Sequence, residues 1–513
     1  MGSEPGEVVK RVKVLGIDVG TSSVRMVAFD SAAQPVRGLR WQKSYSPEAT
    51  SDGGVTVKPE MLAELVFEGL DELNRLVADT EEPRFSAVGF SCFWHSLLAL
   101  DAAGKPLTPV LLWADTRSEK VVSDLARRVD LTRLHTETGA MLHSSYWPAK
   151  IAWLASEDPS SFARCRRLVS FGEYLYQRLL GTWQVTTSMA SGTGLFDVRT
   201  CEWSQYALSL LPQGVGAMLS PVGDGLLEGL SAELCKRWPS VAGTAWLPAI
   251  GDGACSNVGV AGVSPGWVVV TVGTSSAVRS IQSGRCGGKF GSLDDGQHLW
   301  CYRLDQEWSV IGGALSEGGN LIRWLKDTLS LDALEPLEAE ITERAPDIAR
   351  LTVLPFIAGE RSPHWASNAK LTVHGVDLHT RPVDLLQAAM EAVTYQLGDV
   401  YEALGTSASS SGVIATGGAL VRSPVWVQII AGVFGREVFT SPVEESSSRG
   451  AAIMALNAVG AVHLEDLQPL LGPSYRPRWD PDLYLAARRR QQQLYTLIRG
   501  TVTPVEDAGK VSR

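Results

Sequence analysis

The sequence predicts an α/β protein of two domains, with mixed sheets flanked by helices and a central cleft between the halves. Three observations predict it. A pentapeptide occurs twice about half a chain apart, three strands followed by alternating helix and strand open the chain, and the same order starts again after Pro248. With 513 residues, 45% of them hydrophobic and 20% charged, there is enough chain for two cores.

The repeat is Val19-Gly20-Thr21-Ser22-Ser23, which returns letter for letter as Val272-Gly273-Thr274-Ser275-Ser276, 253 positions on (272 − 19). Each copy follows a short apolar run, residues 12–17 and 267–270, so each reads as a buried strand entering a tight turn. Small residues leave backbone N–H groups open, and phosphate oxygens accept hydrogen bonds from such groups and from hydroxyls. Two such turns can hold one polyphosphate between them; two unrelated turns in a glycine-rich chain are the plainer alternative. The residue before the shared five differs, Asp18 in the first copy and Thr271 in the second. A carboxylate beside a phosphate turn suits Mg²⁺, a hard cation that takes oxygen ligands and keeps several waters.

Strands are expected at 12–17, 24–29 and 36–41, joined by short polar turns into an antiparallel meander. Leu62, Leu65, Val66, Leu70, Leu73 and Leu76 recur at helical spacing after Pro59, giving an amphipathic helix over 59–77. Strands follow at 85–90 and 96–100, with Trp94-His95 in the turn between them. Residues from about 117 to 240 read as helices, 149–155 and 173–180 among them, and form an insertion or cap on the first domain. The pattern then restarts, with strands at 268–272, 277–281, 298–304 and 308–311 and a helix over 317–329. A long helix over 382–404, a strand at 413–416 and helices over 424–434 and 447–459 complete it. Gly262-Val263-Ser264-Pro265-Gly266 supplies hinge residues, dividing the chain into an N-terminal domain of 1–262 and a C-terminal domain of 263–513. Beyond Pro504 little can be buried, and disorder is expected.

The net charge of −10 lacks the basic footprint of a nucleic-acid binder. No run of roughly 18 apolar residues could span a bilayer, and residues 1–13 lack the apolar core of a signal peptide. Seven widely spaced cysteines without a CxxC pair fit reduced thiols, so a cytoplasmic protein with no membrane or nucleic-acid partner is expected. Sixteen tryptophans fit either the exposed apolar face of a homodimer or a large core.

No Walker A loop is present: Lys105, Lys289 and Lys510 each follow Gly but precede Pro, Phe and Val. A nucleotide site must use another architecture. Asp252 is the strongest candidate for a base, a carboxylate between Gly251 and Gly253 whose bare flanks admit a substrate hydroxyl. An ordinary Asp-Gly turn is the alternative. Gly417-Gly418 follows a strand and precedes a helix, where backbone can pass close to a flat ring or ribose or simply turn, and Gly318-Gly319-Asn320 raises the same choice. Trp94 and His95 can line a sugar pocket, indole against carbon and imidazole towards hydroxyls, although a lone histidine is more often structural. Trp113-Ala114-Asp115-Thr116-Arg117 reads as a helix cap with a solvated arginine. The histidines lack metal-ligand spacing, and no structural zinc is inferred.

Together these stretches resemble the FGGY family of carbohydrate kinases, over about residues 12–460. The resemblance implies the ribonuclease H-like, two-domain fold of actin, hexokinase and the heat-shock ATPases, with a sugar-binding N-terminal domain and an ATP-binding C-terminal one. Residues 15–23 look like the family's first phosphate motif, 270–276 like the second and 415–419 like its adenosine motif. Thr138-Gly139 with 150–154 is similar to one family signature and Gly375-Val376 with 384–391 to the other, Trp147 and Leu371 departing from them.

By that resemblance Asp252 is the catalytic base and Asp18 organises Mg²⁺. Gly20, Thr21, Ser22, Ser23, Gly273, Thr274 and Ser275 meet the phosphates of ATP, and Gly319, Asn320, Gly417, Gly418 and Arg422 border its adenosine. Trp94, His95, Tyr146, Asp252 and Arg361 meet the sugar. Residues 95–101, 113–117, His143 with Tyr146, and 359–363 look most like bacterial gluconokinases. The expected reaction is phosphorylation of a primary hydroxyl of a small open-chain sugar or sugar acid, first of all D-gluconate to 6-phosphogluconate. Lys150, Arg117 or Arg361 would meet the carboxylate, or form a structural ion pair. Xylulose, ribulose, sedoheptulose, glycerol and fucose-derived sugars serve other relatives, and a xylulokinase is the alternative. From other classes, a sugar-binding pseudo-enzyme or regulator, or an ATPase of the same fold, would keep the phosphate turns.

Overall fold

The computed structural model describes residues 12–284, 299–405 and 411–501. Residues 1–11, Cys286, the start of the strand expected from residue 298 and the tail beyond Pro504 lie outside them. Val14, Leu15, Ile17 and Val19 bury strand β1 (Val14–Val19) on both faces. β2 (Ser23–Phe29) and β3 (Pro35–Ser44) continue it as the expected antiparallel meander. β4 (Ala87–Cys92) adds parallel to β1, and the two-residue strands β5 (Ala245–Trp246) and β6 (Ile250–Gly251) add parallel to β4. Helix α1 (Pro59–Ala78), with Pro in its first turn, packs on β2 and β3 through a face that buries Leu62, Val66, Leu70 and Leu73.

A second sheet contains β7 (Trp267–Val272), β8 (Ser276–Ser283), β9 (Trp300–Arg303), β10 (Trp308–Leu315), β11 (Gly412–Thr416), β12 (Val438–Thr440) and β13 (Ser474–Tyr475). Their order is β9-β10-β8-β7-β11-β12-β13. β7 pairs antiparallel with β8 and parallel with β11, as β1 does with β2 and β4. The second half therefore repeats the sheet plan of the first, with β9 added at its outer edge.

Between β4 and β5 the chain builds a cap of short helices with a core of its own, in which Leu134, Trp147, Ile151 and Leu168 are buried. Its helix α2 (Trp147–Glu157) carries Lys150. The cap meets the second sheet at β9, where the Cys301 amide donates to the Gly139 carbonyl at 2.8 Å and the Arg303 amide to Ser191 Oγ at 2.9 Å. Helix α3 (Asp252–Ala261) follows β6, so the chain crosses between the sheets over residues 262–266. Helix α4 (Gly319–Thr328) packs against α5 (Pro382–Ala403), which covers the second sheet.

Helix α6 (Ser446–Ala458) follows the second sheet in sequence, yet it packs on β1, β4 and α3. No side chain fits in this seam: a Cβ on Gly450 would lie 1.8 Å from the Cys255 carbonyl oxygen. Backbone against backbone thus joins the halves at the floor of the cleft, which Ser447 and Asp252 both line.

Three expectations change. The strand expected at 96–100 shortens to Leu98–Leu100 and pairs with Arg167–Val169 outside the central sheet, because His95 takes a left-handed φ of 67° and turns the chain away. Cys92, Cys165, Cys201, Cys235 and Cys255 are free, as reduced thiols should be, but Cys301 is disulfide-bonded. Spacing along the chain does not reveal such a pairing, which depends on which segments lie side by side. Of the sixteen tryptophans seven are buried, Trp147, Trp238, Trp246 and Trp426 fully so, and among the described residues Trp324 is the exposed one, at 40%. Their number therefore gives no argument for a dimer face. Among the described residues no helix is long and apolar enough to cross a membrane.

Candidate active site

The halves face each other across a cleft of about 530 Å³, lined by residues 20–23 from the first pentapeptide and 273–276 from the second. Asp18, Trp94, His95, Asp252 and Arg361, far apart in sequence, line the same cleft.

β1 delivers Asp18 to the first turn. Its carboxylate is 2% exposed, accepts from Ser91 Oγ at 2.8 Å and lies 3.4 Å from Arg25 Nη1. Burial pushes its pKa up to about 6, with Arg25 opposing. The turn closes through the Gly20 amide, which donates to the Ser23 carbonyl at 3.0 Å, while the Tyr45 hydroxyl donates to the Gly20 carbonyl at 2.6 Å. Among the described residues the amides of Thr21 and Ser22 have no backbone acceptor, the arrangement in which turn amides can meet an anion. A single carboxylate here fits Mg²⁺, whose other ligands would be phosphate oxygens and water. Among the described residues no cluster of three His, Cys, Asp or Glu could hold a metal by itself.

The second turn is held by other neighbours. The Gly319 amide donates to the Gly273 carbonyl at 2.8 Å and the Asn320 amide to that of Thr274 at 3.1 Å, so the start of α4 closes on the turn. Among the described residues the amides of Thr274 and Ser275 again lack a backbone acceptor. Gly417, at φ 99°, approaches so closely that a Cβ on it would lie 2.5 Å from the Val272 carbonyl oxygen. Gly319, Asn320 and Gly417 thus border the second turn, and neither they nor Gly418 are among the residues lining the main cleft. Arg422 is exposed, with Nη1 3.2 Å from the place a Cβ on Gly418 would take.

Asp252 is the first residue of α3, and the Gly253 amide donates to its Oδ1 at 2.8 Å. A helix start favours the carboxylate, burial raises its pKa, and Arg279 is the main opposing charge. The bare flanks have a different use from the one expected. A Cβ on Gly251 would lie 1.8 Å from the Trp94 indole, and one on Gly253 would lie 2.7 Å from that ring and 3.0 Å from Arg279 Nε. The bare flanks thus admit an indole and a guanidinium beside Asp252, which itself lines the cleft.

Trp94 Nε1 donates to the Ser188 carbonyl at 3.1 Å, and its ring centre lies 5.0 Å from that of Tyr302, which stacks on Trp300 at 4.4 Å. His95 Nδ1 lies 2.5 Å from the Gly192 carbonyl oxygen, and burial takes its pKa down to about 3. The imidazole is therefore neutral, with Nδ1 donating and Nε2 an acceptor. Tyr146 does not line the cleft; it stands behind His95 at 4.9 Å between ring centres and bonds the Tyr302 hydroxyl.

Two of the three cations expected near a carboxylate are engaged elsewhere. Arg117 is paired with Asp115 at 2.5 Å and lies 4.6 Å over Trp153, so it is not the solvated arginine of a helix cap. Lys150, 1% exposed, donates to the His95 carbonyl at 2.7 Å, and burial takes its pKa down to about 7. Arg361 remains in the cleft wall, 4.3 Å over the Trp113 ring, with Nη2 donating to the Leu315 carbonyl at 2.6 Å.

Sequence reasoning missed Arg279, Tyr45 and the Trp300–Tyr302 wall. For Arg279 a signal exists: the repeat spacing puts it opposite position 26 (279 − 253), where the first half has the buried Met26. A cation at a core position of an apolar strand asks for an explanation.

Two open-amide turns facing across a cleft, with a buried carboxylate between them, define a two-lobed phosphotransferase. The model of the FGGY carbohydrate kinase N-terminal domain matches residues 13–224 and that of the C-terminal domain residues 269–459. The chain belongs to the FGGY family of carbohydrate kinases. It is 28% identical to the gluconokinase of Bacillus subtilis (strain 168) over 481 residues, 90% of this chain and 91% of the relative. It is 24% identical to the xylulose kinase of Staphylococcus xylosus, over 86% of this chain and 90% of that one. Among solved structures, the gluconate kinase from Lactobacillus acidophilus superposes with a TM-score of 0.84 at 24% identity, covering 96% of this chain and 98% of its own. The ligand-bound xylulose kinase from the same organism gives 0.84 at 25% identity, covering 95% and 98%.

Proposed function

We propose that this carbohydrate kinase transfers the γ-phosphoryl group of ATP to the primary hydroxyl of D-gluconate, giving 6-phosphogluconate. The observation that carries this reading is Arg361, a cation in the cleft wall with an unpartnered Nε, which suits a substrate with a carboxylate. The similarity to gluconokinases supports it.

In this reading the free amides of both turns hold the phosphates, and Gly319, Asn320, Gly417, Gly418 and Arg422 border the adenosine. Asp18 would hold Mg²⁺, which supplies charge neutralisation at the phosphates. Trp94 and His95 position the sugar chain, and Tyr146 holds that wall from behind. Asp252 takes the proton of the attacking hydroxyl; its raised pKa makes it a better base than an exposed aspartate. Closure of domains 1–262 and 263–513 about residues 262–266 would exclude water and limit ATP hydrolysis.

A second reading, a xylulose kinase, is favoured by relatives and structures of that name at comparable likeness. An ADP-release assay over gluconate, xylulose, ribulose, sedoheptulose and glycerol separates them. Gluconate should give the highest kcat/KM; a higher value for any neutral sugar would overturn the gluconate reading.

A further inference from the structure

We infer that Arg279 joins Arg361 in a two-arginine clamp that selects substrates bearing a carboxylate, and that Arg279, not the glycine-flanked aspartate alone, makes this site one for sugar acids. The inference deepens the gluconate reading and rests on it.

Both guanidiniums line the cleft, both have an Nε that is buried without a partner, and among the described residues neither forms an ion pair. Half-buried cations left in this way carry a desolvation cost that an anion relieves. The protein offers little relief. Asp18 is matched by Arg25, and Asp252 is the one aspartate that both arginines feel. Glu317 also acts on Arg361, but burial pushes its pKa up to about 8, so it is mostly uncharged at neutral pH. A neutral sugar leaves the excess positive charge in place, whereas an aldonate removes it through planar, paired hydrogen bonds of the kind guanidinium makes with carboxylate.

Local packing is arranged around Arg279. It projects from β8, at the place where the strand register of the first half puts the buried Val27, and its Nη1 lies 3.5 Å from Thr271 Oγ1. The missing side chain at Gly253 gives it room, since a Cβ there would come within 3.0 Å of its Nε. Arg361 is held flat over Trp113 at 4.3 Å. The carboxylate would thus be gripped by the second sheet and its loops, while Trp94 and His95 of the first half meet the carbon chain and hydroxyls.

The test compares gluconate with D-glucitol, which replaces the carboxylate by a hydroxymethyl group. Binding of each to the full-length wild type, Arg279→Met and Arg361→Met is measured by calorimetry, together with kcat and KM for gluconate. Each variant should weaken gluconate binding by about 10- to 100-fold and cut the preference for gluconate over glucitol by a similar factor. Circular dichroism and ATP binding should match the wild type. Arg279→Met losing kcat with gluconate binding intact would place Arg279 on the phosphoryl group and overturn the clamp. Equal weakening of both ligands would overturn it too. If the wild type binds gluconate through both arginines but phosphorylates no aldonate, the clamp stands and the gluconokinase reading falls. If it phosphorylates gluconate and Arg279→Met keeps the wild-type KM, the clamp falls alone.

Discussion

The first Val-Gly-Thr-Ser-Ser turn follows a buried carboxylate, Asp18, and is latched by the Tyr45 hydroxyl; the second follows Thr271 and is latched by the start of α4. In the strand that leaves each turn, Val27 pairs with Gly16 and Arg279 with the corresponding Val269, Val27 filling a core and Arg279 lining the cleft. Identical turns thus offer identical open amides, and the unlike neighbours divide the work. One side carries the acid suited to a cation, the other carries the cations suited to anions. A repeated strand and turn supply the same open backbone twice over, while the asymmetric chemistry comes from residues that the repeat does not share.

Exchanging the residues before the turns breaks this comparison most directly. Asp18→Thr makes the first turn resemble the second and should lower kcat by about 100- to 1,000-fold, with a changed dependence on Mg²⁺ concentration. A kcat within threefold of wild type would show that the turns are interchangeable. Gly450→Val attacks the seam that joins the halves, where the Cys255 carbonyl leaves no room. A cost of about 3 kcal/mol or more follows from overpacking, read as a lower melting temperature or no folded protein. Tyr45→Phe removes only the first latch and should raise the KM for ATP about fivefold, the size of one hydrogen bond, with kcat for the sugar nearly kept.

The smallest effect concerns pH. Burial pushes Glu173 and Glu391 up to about 7 and Glu317, whose carbonyl accepts from Ser276 of the second turn at 2.6 Å, up to about 8. A carboxyl raised in the folded state keeps its proton where the unfolded chain has lost it, so its contribution to stability falls as pH rises between about 5 and 7. His95 and His143, both lowered to about 3, add the opposite slope up to about pH 6.5, and Lys150, lowered from 10.5 to about 7, adds it above about 7, so the carboxyl contribution is isolated by a variant and not by the wild type alone. The melting temperature of Glu317→Gln relative to the wild type should rise from about pH 5 through 6 to 7. A difference that falls over this range would contradict it.

Much of this was legible in the sequence because it rests on local rules. Apolar runs ending in small-residue turns gave β1, β2 and β7, Pro59 and its leucine spacing gave α1, and a carboxylate between glycines gave Asp252. The residues that were not legible depend on partners remote in the chain. α6 returns to the first sheet because Gly450 fits against α3, which periodicity cannot show. Arg117 and Lys150 looked as eligible as Arg361 until Asp115 and the His95 carbonyl proved to hold them. Arg279 carried a sequence signal, a charge where the repeat spacing gives the first half an apolar residue, but only the fold turns it into the cleft.

The central claim is that both lobes hold one nucleotide while Asp252 deprotonates the acceptor, and Asp252→Asn tests it most directly. ATP binding by calorimetry and turnover by ADP release, measured on the same preparation, should show unchanged affinity and a kcat lower by about 100- to 10,000-fold. Near-normal turnover with ATP bound as in the wild type would contradict the account.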